Sequence, residues 1–147
     1  MRRIRATAVL ACGAVVAALA LAAGAASDLR TYTGGFDAGG TVGFRAKVDG
    51  RGDVRQVDDF HWRRLQAACD EGDILLRGRL EFPIPVNDRG RWSAVGVGGG
   101  DQARIEGEFT NGRRRAHRFL RVQGTFQTDE GLYRNCDTRR ARWRASR

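Results

Sequence analysis

Asp58, Asp59 and His61 lie in one short stretch beside Phe60 and Trp62. A carboxylate that orients an imidazole is the elementary acid–base pair of hydrolytic chemistry, and Glu81 offers a further carboxylate downstream. That chemistry lacks a nucleophile. After residue 26, serine occurs only at Ser27, Ser93 and Ser146, and Ser93 has no G-x-S-x-G frame around it. A thiolate would have to come from Cys69 or Cys136, at the expense of pairing them. The acidic and imidazole groups fit the exposed side of a strand equally well. The expectation is therefore no catalytic residue and a non-enzymatic chain, with a hydrolase built on the Asp/His pair as an alternative.

Arginine is the more concentrated chemistry. The chain has 26 basic and 17 acidic residues, for a net charge of +9, and Lys47 is its only lysine. Arg113, Arg114, Arg115, His117, Arg118 and Arg121 crowd one hairpin, and Arg139, Arg140, Arg142, Arg144 and Arg147 crowd the C-terminus. If those two strands are neighbours, Arg113, Arg114, Arg115, Arg118, Arg121, Arg140, Arg142 and Arg144 form one patch for an anionic partner. Such a face, with Trp143 or Tyr133 nearby, would hold phosphates and stack bases, or hold an anionic envelope polymer. The competing reading makes Arg140, Arg142 and Arg144 the solvated side of a strand and Trp143 part of the core. Arginine dominance reflects GC-rich coding before it reflects a partner, and specific nucleic-acid binding is not expected. Net charge draws the protein towards anionic polymers through a field that salt screens, without naming one.

Other motifs carry less. Arg51-Gly52-Asp53 is an integrin-recognition tripeptide at an expected hairpin tip, and reads as an ordinary turn. The run from Gly96 through Val97 to Gly98-Gly99-Gly100 has the composition of a phosphate loop, but no helix follows it, so it reads as a turn. Neither Cys69 nor Cys136 has a C-x-x-C partner and His61 and His117 are the only histidines, so no metal site and no cofactor are expected.

The elements that must position these residues have a period of two, with glycine clusters as punctuation. Val42, Phe44, Ala46 and Val48 alternate with Thr41, Gly43, Arg45 and Lys47. Residues 74–86 read as one long strand with Ile74, Leu76, Gly78, Leu80, Phe82, Ile84 and Val86 on one face. Pro83 and Pro85 put an edge or bulge there, because both lack the N–H on the same side. A turn at Asn87-Asp88-Arg89-Gly90 leads into a strand at 91–97 carrying Trp92. Ala103, Ile105, Gly107 and Phe109 alternate with Arg104, Glu106 and Glu108 before a two-residue turn at Asn111-Gly112, which would set Glu108 opposite Arg115 and Glu106 opposite His117. The return strand points Leu120, Val122, Gly124 and Phe126 inward, which requires a bulge near Arg118. A last strand at 141–145 has Ala141, Trp143 and Ala145 inward. With weaker runs at 31–36 and 54–65, the fold class is all-β: an antiparallel β-sandwich or partly open β-barrel of about eight strands, preceded by a signal-peptide helix.

That leader is read from Arg2, Arg3 and Arg5 followed by an uncharged, alanine-rich run ending at Ala23-Gly24-Ala25-Ala26. Cleavage after Ala25 or Ala26 is expected, giving a signal peptide over residues 1–26 and a single disulfide-linked β domain over 27–147 with no membrane span. The alternatives are an uncleaved anchor, a twin-arginine signal at Arg2-Arg3, which lacks a preceding Ser or Thr, and lipidation at Cys12, which sits too early in the apolar run. In an exported chain the remaining pair, Cys69 and Cys136, is expected to be bridged. The loop it closes is long enough for a stabilisation of roughly 4 kcal/mol, joining a central strand to the last one.

Tyr32-x-Gly34, Cys69, Phe82-Pro83-Ile84-x-Val86, Ile105-x-Gly107-x-Phe109, Cys136 and Trp143-x-Ala145 together resemble a loose family of small, uncharacterised exported bacterial β-proteins. The resemblance implies a compact disulfide-bonded β domain and transfers no functional residue; the arginine-rich hairpin at 111–121 departs from it. The leading expectation is thus a secreted, periplasmic or cell-envelope β domain that binds an envelope or extracellular partner. The alternative to it outside enzymology is a small-ligand carrier with an apolar cup inside the sheet.

Overall fold

The structure is a computed structural model that describes residues 28–147. The leader, its cleavage sites, Arg2-Arg3 and Cys12 lie outside the described residues. Ten strands follow in chain order: β1 (Asp28–Phe36), β2 (Thr41–Val48), β3 (Val54–Cys69), β4 (Gly72–Leu80), β5 (Ile84–Pro85), β6 (Arg91–Val97), β7 (Asp101–Thr110), β8 (Arg115–Thr128), β9 (Gly131–Asp137) and β10 (Ala141–Ser146). They form one antiparallel sheet along the path β10-β1-β2-β3-β9-β8-β7-β6, with β4 and β5 also on β3. No helix occurs among the described residues, and the all-β antiparallel expectation holds.

Because β10 pairs with β8 as well as β1, the path returns on itself through β1, β2, β3, β9, β8 and β10. β4, β5 and β6 each pair on one side only among the described residues, which fits a sandwich or a partly open barrel. β3 and β8 do the turning. The first half of β3 pairs with β2 and β5 and its second half with β4 and β9. β8 keeps β7 on one side, and on the other meets β10 and then β9.

The count of ten against about eight has two physical causes. The run at 74–86 is broken after Leu80, so β5 survives as two residues that pair only with Gln56 and Val57 of β3. The proline edge is where the missing N–H groups required it, but Phe82 is 41% exposed, off the expected inward face. β9, absent from the sequence reading, buries Cys136 alone and has Asn135 at φ 49°, so it carries no alternation to read. Cys69 and Cys136 are bonded, but the bridge joins β3 to β9 rather than to the last strand.

The β7–β8 hairpin also differs from expectation. Its turn spans Asn111 to Arg114, with Asn111, Gly112 and Arg113 at φ 51°, 61° and 65°, so Thr110 pairs with Arg115, Glu108 with His117 and Glu106 with Phe119. No bulge forms at Arg118, since the ladder runs unbroken from Thr110–Arg115 to Asp101–Gly124. Arg118 instead takes φ 151°, a mirror-image extended backbone that turns its side chain out of the core at roughly 1–3 kcal/mol. Space dictates this. In that row Arg118 lies between Gly107 and Trp143, and a Cβ on Gly107 would sit 2.0 Å from the Trp92 indole.

The core is aromatic. Tyr32 stacks on Phe44 at 4.8 Å, and Phe44 also meets Phe60, Trp92, Phe109 and Trp143 within about 6 Å. Trp62 packs over Gly78 on β4. These rings fill the space the curled sheet encloses.

Candidate functional site

Pairing of β8 with β10 brings the two arginine-rich segments together. Arg115 faces Ser146, His117 faces Arg144 and Phe119 faces Arg142. Inward Ala116, Leu120, Trp143 and Ala145 are buried, so period two sends Arg115, His117, Phe119, Arg121, Arg142 and Arg144 to the outer side. The strand pairing that the patch required is present.

Phe119 is the centre of this face. The Arg140 guanidinium carbon lies 4.2 Å from the Phe119 ring centroid and that of Arg142 5.7 Å. Stacking on a ring holds a planar guanidinium flat and leaves its N–H edge for an acceptor. Arg104, Glu106, Phe119, Arg121 and Arg140 border a depression of about 230 Å³.

Much of the patch charge is already engaged. Arg121 donates to Asp137 through Nε and Nη2, at 3.0 and 2.5 Å, and this hydrogen bonding holds the Asp137 carboxyl below its usual range. Arg118 reaches Glu108 at 3.2 Å and Glu106 at 3.5 Å, and Arg140 shares the same Glu106 oxygen at 3.5 Å. Arg144 is 3.3 Å from Asp37. Arg113 is drawn away, pairing with Asp53 across the β2–β3 turn while the Tyr32 hydroxyl donates to its carbonyl. Arg114, Arg115 and Arg142 have no carboxylate partner among the described residues and are exposed. Exposed pairs of this kind contribute at most about 1 kcal/mol each and exchange partners readily.

The remaining candidates resolve into local structure. Asp53 of the Arg51-Gly52-Asp53 turn is held by Arg113 and Arg55. Asp49 organises that turn by accepting from the N–H of Arg51 and Asp53, both 2.9 Å, and from Arg55 Nε at 2.7 Å. These bonds, Arg55 foremost, hold the Asp49 carboxyl at about 2. Asp58 takes Gln56 at 2.6 Å and Lys47 at 3.8 Å, and Asp59 is held by Arg79 and Arg45. His61 Nδ1 donates to the Asp59 carbonyl at 2.9 Å, and its other nitrogen lies against Gly43. Asp59 Oδ1 lies 4.0 Å from His61 Nδ1, whose proton is directed to the Asp59 carbonyl, and each carboxylate of the trio also has a cationic partner on the strand surface. The turn after Val97 leads into β7, with Gly98 N–H donating to the Asp101 carbonyl. No group of three metal-ligating residues occurs among the described residues.

Phe119, Arg104 and the hydroxyls of Thr33, Thr110 and Ser146 were not singled out in the sequence. Phe119 alone left a signal there: at its parity opposite Leu120 it is a phenylalanine on the arginine side of a strand. No family model, no curated protein and no solved structure matches this chain.

Proposed function

We propose that this protein is an exported, non-enzymatic binding module that takes an anionic partner on the outer face of β8 and β10. The observation that carries the reading is the placement of Arg140 and Arg142 over Phe119, on the same strand pair that carries Arg115, unpaired among the described residues, at its other end. Guanidiniums fixed in this way lose little freedom on binding, and their planar forks match carboxylate, phosphate and sulfate. A bonded Cys69–Cys136 pair fits a compartment outside the reducing cytoplasm, where anionic envelope polymers are the abundant partners. The small-ligand cup is disfavoured because the enclosed space is occupied by Trp92, Trp143 and their aromatic neighbours.

The test is retention on an anionic resin across a salt gradient. The protein should elute well above a neutral control of equal size, and a variant with Arg114, Arg115 and Arg142 all changed to glutamine should elute markedly earlier while melting at the same temperature. Equal elution of the two would reject the face as the binding surface.

A further inference from the structure

The cationic face has a groove at one end whose donors are arranged differently from the rest. Four strands meet there in register. Thr110 of β7 pairs with Arg115 of β8, Arg115 with Ser146 of β10, and Ser146 with Thr33 of β1. One lateral row therefore presents three hydroxyls and a guanidinium, each roughly 5 Å from the next along the hydrogen-bonding direction. In the adjacent row, His117 pairs with Arg144 and Arg144 with Gly35. The carboxylate of that row, Glu108, is turned to Arg91 and Arg118, 3.2 Å from each.

Between these rows lies a groove of about 460 Å³ with Gly34, Ala116 and Ala145 as its floor and Arg115, His117, Arg144 and the hydroxyls as its rim. The floor is the backbone of these residues, since the side chains of Ala116 and Ala145 turn into the core. A Cβ on Gly34 would sit 1.9 Å from the Arg144 carbonyl oxygen, so only glycine lets β1 come this close to β10. Arg115 has no carboxylate partner among the described residues, and Arg144 has only the exposed Asp37 at 3.3 Å.

Resting on the anionic-partner reading above, we infer that this groove is a phosphoryl subsite, and that the groups the face recognises are phosphoryl groups rather than carboxylates. A carboxylate offers two oxygens in one plane, which a single guanidinium fork satisfies. A phosphoryl group carries its non-bridging oxygens on a tetrahedral centre and accepts from several directions at once. Arg115 and Arg144 on opposite sides, with hydroxyl donors from Thr33, Thr110 and Ser146 in the same row, supply that spread of directions. The groove exceeds one phosphate, so an adjoining part of the ligand enters with it. The row at Phe119, Arg140 and Arg142 continues the same face and receives the next charge along a polymer.

The experiment compares polyphosphate with poly-glutamate of equal charge and length at one ionic strength, by calorimetry or fluorescence anisotropy, with phosphatidylglycerol vesicles as a third arm. Polyphosphate should bind at least tenfold tighter than poly-glutamate. Arg115→Gln with Arg144→Gln should remove that preference while leaving a weak, salt-sensitive attraction to both polymers. Thr33→Val with Ser146→Ala, which keeps every charge, should reduce the preference by itself. Binding to vesicles as well as polyphosphate places the phosphoryl source in lipid as well as polymer, and binding to vesicles alone places it in a lipid headgroup; both support the subsite. Equal, measurable affinity for polyphosphate and poly-glutamate overturns the subsite and leaves the cationic face standing. Absence of binding to every anionic probe overturns both.

Discussion

Arg140 lies over the ring of Phe119, its guanidinium carbon 4.2 Å from the ring centroid, on the strand pair that carries the densest charge in the molecule. Arg140, 61% exposed, is thus placed over a ring that lies outside the buried core.

Removing that platform should weaken binding without unfolding the protein. Phe119→Ala is expected to lower affinity for an anionic polymer by about threefold to tenfold, the usual worth of a stacked guanidinium. Its melting temperature should stay within a few degrees, and Phe119→Tyr should retain binding. Titration with polyphosphate checks this.

Arg118 offers a test of the fold that runs against ordinary strand preference. At φ 151°, glycine fits and alanine is strained, so Arg118→Gly should be more stable than Arg118→Ala by about 1 kcal/mol. Both lose the pairs to Glu106 and Glu108. Urea denaturation of the two variants decides it, and the reverse order would refute the flipped backbone.

The disulfide guards the thinnest junction of the ring. β3 and β9 share a single paired position, Ala68 with Asp137, backed by Asp70 N–H on the Arg134 carbonyl and Asn135 on Asp70. Changing Cys69 and Cys136 to serine should cost about 2–5 kcal/mol. Hydrogen exchange should accelerate first at Ala68, Cys136 and Asp137; acceleration confined to β6 or β7 would contradict the pairing.

The elements in which period two is unbroken are legible in the sequence, and those in which it is broken are not. β2, β6, β7 and β10 appear where alternation put them. β3 gives only a weak alternation because its buried residues, Val54, Val57, Phe60, Trp62, Leu65 and Ala67, step by three more often than by two. Register shifts flank these steps, with Asp59 and Arg64 at φ 57° and 58°. The two-residue turn at Asn111-Gly112 was misread because three consecutive positive-φ residues cannot be told from two by composition. The arginine clusters were legible as charge. Their division into engaged and unengaged groups was not, since Asp37, Asp53, Asp137 and Glu106 come from four separate places in the chain.

Acid should loosen the β2–β3 turn within a defined window. Asp49 titrates at about 2 in the folded protein, first through its hydrogen bond with Arg55, against about 3.9 when unfolded. The folded value is the lower one, so its contribution is complete above roughly pH 4 and is lost as pH falls towards 2. Amide signals of Arg51 and Asp53 should shift in that range, and Asp49→Asn should abolish the shift.

The central claim, that an anion is held on the outer face of β8 and β10, is tested most directly by mapping amide chemical shifts during titration with polyphosphate. Shifts should concentrate at Thr33, Arg115, His117, Phe119, Arg142, Arg144 and Ser146 and fade with added salt. Shifts centred on the opposite edge, at Leu80, Phe82 and Val97, or none at all, would contradict the account.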